Sequence, residues 1–120
     1  MNILVIEDNI NISTLFKERL HFHKVQSKIA NTGVEAYKIL NNTKPGLEFD
    51  YVITNIGLPD ENGVEIIKTI KAKFKNSKII IYSGKNYHLF KDKFYYDYFY
   101  CKQDITPSQI IDMIINNELK

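Results

Sequence analysis

Short apolar runs alternate with stretches of helical periodicity along the chain, and this alternation predicts an α/β fold. The expected architecture is a doubly wound, three-layer (βα)5 sandwich on a parallel sheet. Two further observations support it. The run at 78–82 is apolar after its first lysine, as a strand covered on both faces should be. Four runs also end on polar or charged residues. Glu7-Asp8 follow Ile3-Leu4-Val5-Ile6, Asn55 follows Tyr51-Val52-Ile53-Thr54, Ser83 follows Ile79-Ile80-Ile81-Tyr82, and Lys102 follows Phe99-Tyr100-Cys101. In a parallel sheet these four ends meet at one edge.

The first strand is expected at 2–6 and the first helix at 10–23, with Ile12, Leu15, Phe16 and Leu20 inward and Lys17 and Glu18 outward. A second strand falls near 25–30. Thr32 and Glu35 have capping-box spacing and open a second helix that runs to about Asn42, before Pro45-Gly46 breaks the chain. The third strand is expected at 50–54. Asn62 and Glu65 cap a third helix with Val64, Ile67, Ile70 and Phe74 at core spacing. The fourth strand spans 78–82. A short or irregular fourth helix is expected near 87–93, and the fifth strand at 98–101. The last helix has the clearest start: Thr106 as cap, Pro107 at the first helical position, Gln109 closing the box, then Ile110, Ile111, Ile114 and Ile115 as the apolar stripe.

The chain has 120 residues, the size of one compact domain spanning 1–120 and large enough to bury a core without staples. The hydrophobic fraction of 44% and charged fraction of 25% are those of an ordinary globular protein. A net charge of +2 gives no reason to expect nucleic-acid or membrane binding. Lys68, Lys71, Lys73, Lys75 and Lys78 crowd one segment and read as a solvated helix face. Cys101 is the sole cysteine, so no internal disulfide can form; a cytoplasmic, reducing setting fits, and the side chain reads as a buried strand residue. No apolar run approaches the length of a membrane span, and Met1-Asn2-Ile3 has no basic leader.

The strand-end residues, together with Leu58-Pro59 and Gly63 four residues after the proline, resemble the receiver domain of two-component response regulators over essentially the whole chain. The resemblance implies a flavodoxin-like strand order, 2-1-3-4-5, with the ligand site at the carboxyl ends of the strands. It implies phosphoryl chemistry, in which catalysis is positioning and charge neutralisation. By motif position Asp8 is the direct Mg²⁺ ligand and Glu7 the outer one, joined by residue 55 and the backbone carbonyl of Gly57. Ser83 holds a phosphoryl oxygen, Gly84 is small enough to admit the group, and Lys102 pairs with its oxygens. Phe99, three before that lysine, is the aromatic that moves with the hydroxyl, and its lack of a hydroxyl favours a mostly buried ring. The implied partner is a histidine kinase or another signalling protein. The fourth helix, fifth strand and last helix form the implied face for a homodimer or partner contact, here rich in Tyr87, Phe90, Tyr95 and Tyr96.

Two residues depart from the pattern. Asn55 stands where the family has its phosphoryl-accepting aspartate, and an amide is no nucleophile at neutral pH. Mg²⁺ binding should then be weak or absent, with Lys102 near Asp8 or the Asn55 amide oxygen and partly filling the cation's place. Gln103 stands where proline follows the lysine, so the Lys102-Gln103 bond is either trans with a shifted loop or a costly cis peptide. Three readings follow. The chain is a non-enzymatic pseudo-receiver acting through protein–protein contact. Alternatively, it is an ordinary Mg²⁺-dependent receiver whose aspartate has been changed to asparagine. A flavodoxin-like small-molecule binder is the third, but Glu7-Asp8 would repel a cofactor phosphate and no Gly-rich phosphate loop is present. A single-domain regulator and the amino-terminal part of a transcription factor both remain open.

Overall fold

The computed structural model describes residues 1–84 and 95–120. Five strands, β1 (Asn2–Ile6), β2 (Gln26–Ala30), β3 (Tyr51–Thr54), β4 (Lys78–Ser83) and β5 (Tyr98–Cys101), form one parallel sheet in the order β2-β1-β3-β4-β5. Helices α1 (Ile10–Phe22), α2 (Gly33–Asn42), α3 (Gly63–Lys73) and α4 (Pro107–Ile115) lie in sequence between and after them. The doubly wound flavodoxin-like expectation is therefore met. The helix expected near 87–93 lies outside the described residues.

The sheet separates two cores because strand side chains alternate. Leu4, Ile6, Val52, Ile79 and Ile81 pack with Leu40 of α2 and Ile66, Ile67 and Ile70 of α3. Ile3, Val5, Ile53, Ile80 and Tyr82 pack with Phe16 and Leu20 of α1 and Ile110, Ile111 and Ile114 of α4. Leu15 was expected inward but is 46% exposed. The buried stripe of α1 runs through Ser13, Phe16 and Leu20, and a step of one residue turns Leu15 about 100° off it. Val64 is half-buried, because Ile66 and Ile67 occupy the sheet-facing side of α3. Ile115 is exposed at the end of α4, beyond the Ile110, Ile111 and Ile114 contact.

The caps follow local chemistry. Thr32 accepts from Glu35 N, Asn62 from Val64 N and Glu65 N, and Thr106 forms a complete capping box with Gln109 after which Pro107 opens α4. Asn9, which periodicity did not single out, caps α1 by accepting from Ile12 N at 3.2 Å. The lysine cluster is only partly a solvated face. Lys71 Nζ donates to the carbonyls of Lys75 and Ser77 just beyond α3, and Lys73 Nζ donates to Leu40 O in the last turn of α2. Leu40 O lies in the last turn of α2, where a helix leaves carbonyls without intrahelical partners.

Candidate functional site

The sheet ladder continues one residue past three strand ends. Glu7 N donates to Ala30 O at 2.9 Å, Asn55 N to Ile6 O at 3.0 Å, and Lys102 N to Ser83 O at 2.9 Å. Glu7, Asn55, Ser83 and Lys102 are thereby brought together on the carboxyl edge of the sheet, as their places after the apolar runs suggested. Asp8 joins them from the start of the β1–α1 loop.

Asn55 sits at the centre, 7% exposed. Its Nδ2 donates to Asp8 Oδ1 at 3.0 Å and to Glu7 Oε2 at 3.3 Å. Its Oδ1 accepts from Gly57 N at 3.1 Å and from Ser83 Oγ at 3.0 Å. Both hydrogens and both lone pairs of the amide are used. The partners also fix its orientation. Turned over, the amide would set its oxygen against two carboxylates and its N–H groups against the Gly57 N–H.

Glu7 is almost fully buried, and Lys102 Nζ lies 2.7 Å from its Oε1. Burial pushes the Glu7 carboxyl above its ordinary range. The Lys102 hydrogen bond, the Asn9 N–H and the Lys102 charge pull it down without cancelling that effect. The lysine's partner is thus Glu7, a correction to the expectation of Asp8 or the Asn55 oxygen. The Asn55 oxygen is already occupied by two donors, and a buried carboxylate needs a counter-charge most. The ammonium also lies 5.8 Å from the centre of the Tyr82 ring. The Lys102-Gln103 bond is trans, since the described residues contain no cis peptide. A Cβ built at Gly84 meets no described atom within 4 Å.

Phe99 was expected mostly buried and is half-buried. It points to the α2/α3 side, packs against that core, and meets Tyr96 edge-on at 5.4 Å. Among the described residues β5 is an edge strand with one neighbour, and all four of its residues, Cys101 included, stay partly accessible.

Two supporting residues, Asn31 and Asp60, escaped sequence reasoning. Asn31 Nδ2 donates to Glu7 O at 3.0 Å and to the buried Ser13 Oγ at 2.8 Å, tying β2 to the start of α1. Asp60 accepts from Gly33 N at 2.9 Å and Val34 N at 3.1 Å, joining the loop after Asn55 to the amino end of α2. The Gly33 N–H is the main reason its carboxyl lies below the ordinary range. Nothing in the sequence around Asp60 marks it, because its partners come from another element. Adjacency to the Thr32 cap was the one signal pointing to Asn31.

These donors do not suit a divalent cation as arranged. Mg²⁺ takes oxygen ligands, yet residue 55 turns N–H groups toward the acids and Glu7 is paired with an ammonium. Among the described residues, no group of three His, Cys, Asp or Glu side chains is placed to hold a metal.

A doubly wound sheet in this order, with an acid pair, a hydroxyl and a lysine gathered at its carboxyl edge, defines a receiver-type signalling domain. The chain belongs to the response regulator receiver domain family, whose model matches residues 3–95. Sporulation initiation phosphotransferase F of Bacillus subtilis (strain 168) is 29% identical over 79 residues, 66% of this chain and 60% of that protein. The match therefore spans less than two thirds of the relative's length. The response regulator TrrA of Thermotoga maritima, solved in complex with Mg(2+)-BeF, is 27% identical with a TM-score of 0.77 and covers 98% of both chains. A CheY-like receiver domain protein from Methanospirillum hungatei JF-1 shares the fold at a TM-score of 0.79 and 22% identity, covering 98% of this chain and 92% of its own. Receiver domains are generally non-enzymatic modules of two-component signalling. No described helix is long and apolar enough to cross a membrane.

Proposed function

We propose that this chain is a receiver that does not accept a phosphoryl group at position 55 and signals by protein–protein contact. The amide at Asn55 carries this reading: it offers no carboxylate to form an acyl phosphate, and all four of its hydrogen-bonding positions are engaged by neighbours. Glu7, Asp8 and the Gly57 carbonyl keep the family's metal positions, and Ser83 and Lys102 its phosphoryl positions. Mg²⁺ binds weakly or not at all. Phe99 reports the state of the switch. The partner is a histidine kinase or another cytoplasmic signalling protein, and the domain makes no direct nucleic-acid contact. The β5–α4 face, with Tyr95 49% exposed and Tyr96 beside Phe99, supports a homodimer or docking contact there.

Incubation with acetyl phosphate and Mg²⁺ tests acceptance. Intact mass should show no added phosphoryl group on the wild type, and Asn55→Asp should take one up because Asp8, Ser83 and Lys102 are in place. A wild type that labels readily defeats the proposal. The intact acid pair, hydroxyl and lysine favour a second reading, a receiver whose native aspartate has been exchanged. The codon in the source gene decides between the two.

A further inference from the structure

We propose that the Asn55 carboxamide is a built-in replacement for a divalent cation, latching β1, β3 and β4 together at the carboxyl edge without metal. Two adjacent acids, Glu7 and Asp8, converge there and need hydrogen-bond donors. Lys102 supplies one, on Glu7 Oε1 at 2.7 Å. The second is the Asn55 NH₂, which bridges the pair, reaching Asp8 Oδ1 at 3.0 Å and Glu7 Oε2 at 3.3 Å. A bridging cation would join the same two carboxylates. The other pole of the amide completes the latch. Oδ1 holds the Ser83 hydroxyl at the end of β4 and the Gly57 N–H in the following loop. One side chain, on the residue just past β3, therefore ties the ends of β1 and β4 to its own loop.

An aspartate could not do this unaided. It would keep the Oδ1 bonds to Gly57 and Ser83 but lose both donors. A carboxylate oxygen would then face two others at about 3 Å, the like-charge arrangement that most disfavours joint ionisation. Asparagine at this position is therefore more than the loss of a nucleophile: it gives the two acids hydrogen-bond donors where an aspartate would add a third negative charge.

The latch rests on the same reading of the site, but its test is separate, because melting reports the latch and phosphoryl mass reports acceptance. Wild type and Asn55→Asp are melted in EDTA and in millimolar Mg²⁺, followed by circular dichroism. The wild type should melt at the same temperature in both. Asn55→Asp should melt lower by roughly 5 °C or more in EDTA and regain most of that in Mg²⁺. A wild type raised by Mg²⁺ as much as the variant, or a variant as stable as wild type in EDTA, overturns the latch. If Asn55→Asp is unfolded in both buffers, calorimetric titration of the wild type carries the test. Absence of Mg²⁺ uptake supports the proposal, and uptake accompanied by a rise in melting temperature overturns it.

Discussion

Replacing Gly63 by alanine should destabilise the domain and disturb the site together. A Cβ at this position would lie 2.4 Å from Ile56 O, 2.8 Å from Ile56 Cα and 2.9 Å from Ile56 C. Ordinary contact begins near 3.4 Å, so one segment must retreat by about 1 Å. All three atoms are backbone, so no side chain can swing aside. Gly63 has no positive φ, so alanine suits its conformation and only space decides the outcome. Helix propensity favours alanine by at most about 1 kcal/mol. Overpacking against rigid neighbours costs about 1–3 kcal/mol or more, and a backbone-limited clash belongs at the upper end. The net loss should be about 2 kcal/mol, or roughly 6–10 °C in melting temperature for a domain of this size. Urea unfolding by circular dichroism measures it. Because Ile56 adjoins Asn55, the amide resonances of Gly57 and Asn55 should shift in the same variant. Melting at or above the wild-type temperature would refute the close-approach reasoning.

Acid should expose the α1–α4 clamp. The Arg19 guanidinium first, and His23 second, hold the Asp112 carboxyl down at about 2 from its ordinary 3.8. Because this pKa is depressed on folding, the stabilisation is present above 3.8 and disappears as pH falls through about 2. Urea midpoints of wild type and Asp112→Asn should converge over that window, and a constant gap would contradict the clamp. Ser77→Ala removes the buried hydroxyl that donates to Phe49 O at 2.5 Å, and equilibrium unfolding should show a loss of about 1–3 kcal/mol. Thr106→Ala removes the α4 cap and should cost about 1 kcal/mol by the same measurement. Tyr96→Lys should abolish any concentration-dependent rise in light-scattering mass. A mass that rises equally in wild type and variant would place the self-contact elsewhere.

Much of the fold was legible because its signals are local. Thr106, Pro107 and Gln109 announce a helix start with their own chemistry, and β5 occupies its expected 98–101. The gathering of Glu7, Asn55, Ser83 and Lys102 was legible because each follows an apolar run, and parallel strands bring their carboxyl ends to one edge. Pairings across elements were less accessible. Spacing places Lys102 in the site but does not choose Glu7 over Asp8, because burial of one carboxylate makes that choice. Asp60 bonds an element 26 residues or more away, so nothing in its own neighbourhood marks it. Leu15 misled because an apolar residue one step off the stripe still looks periodic, and Phe99 because residue type alone does not reveal an edge strand.

The lysines around α3 bear on how this surface looks to an approaching ion. Lys71 and Lys73 are fastened to carbonyl oxygens near the carboxyl ends of α3 and α2. Each such end carries about half a negative charge from the aligned peptide dipoles. The two ammoniums are thus set against fixed backbone charge of opposite sign. A potential map drawn from side-chain charges alone would show a broad positive stripe here. With the peptide dipoles included, and with Lys68 paired to Glu65 at 3.3 Å, the field of this cluster is weaker than its five lysines suggest.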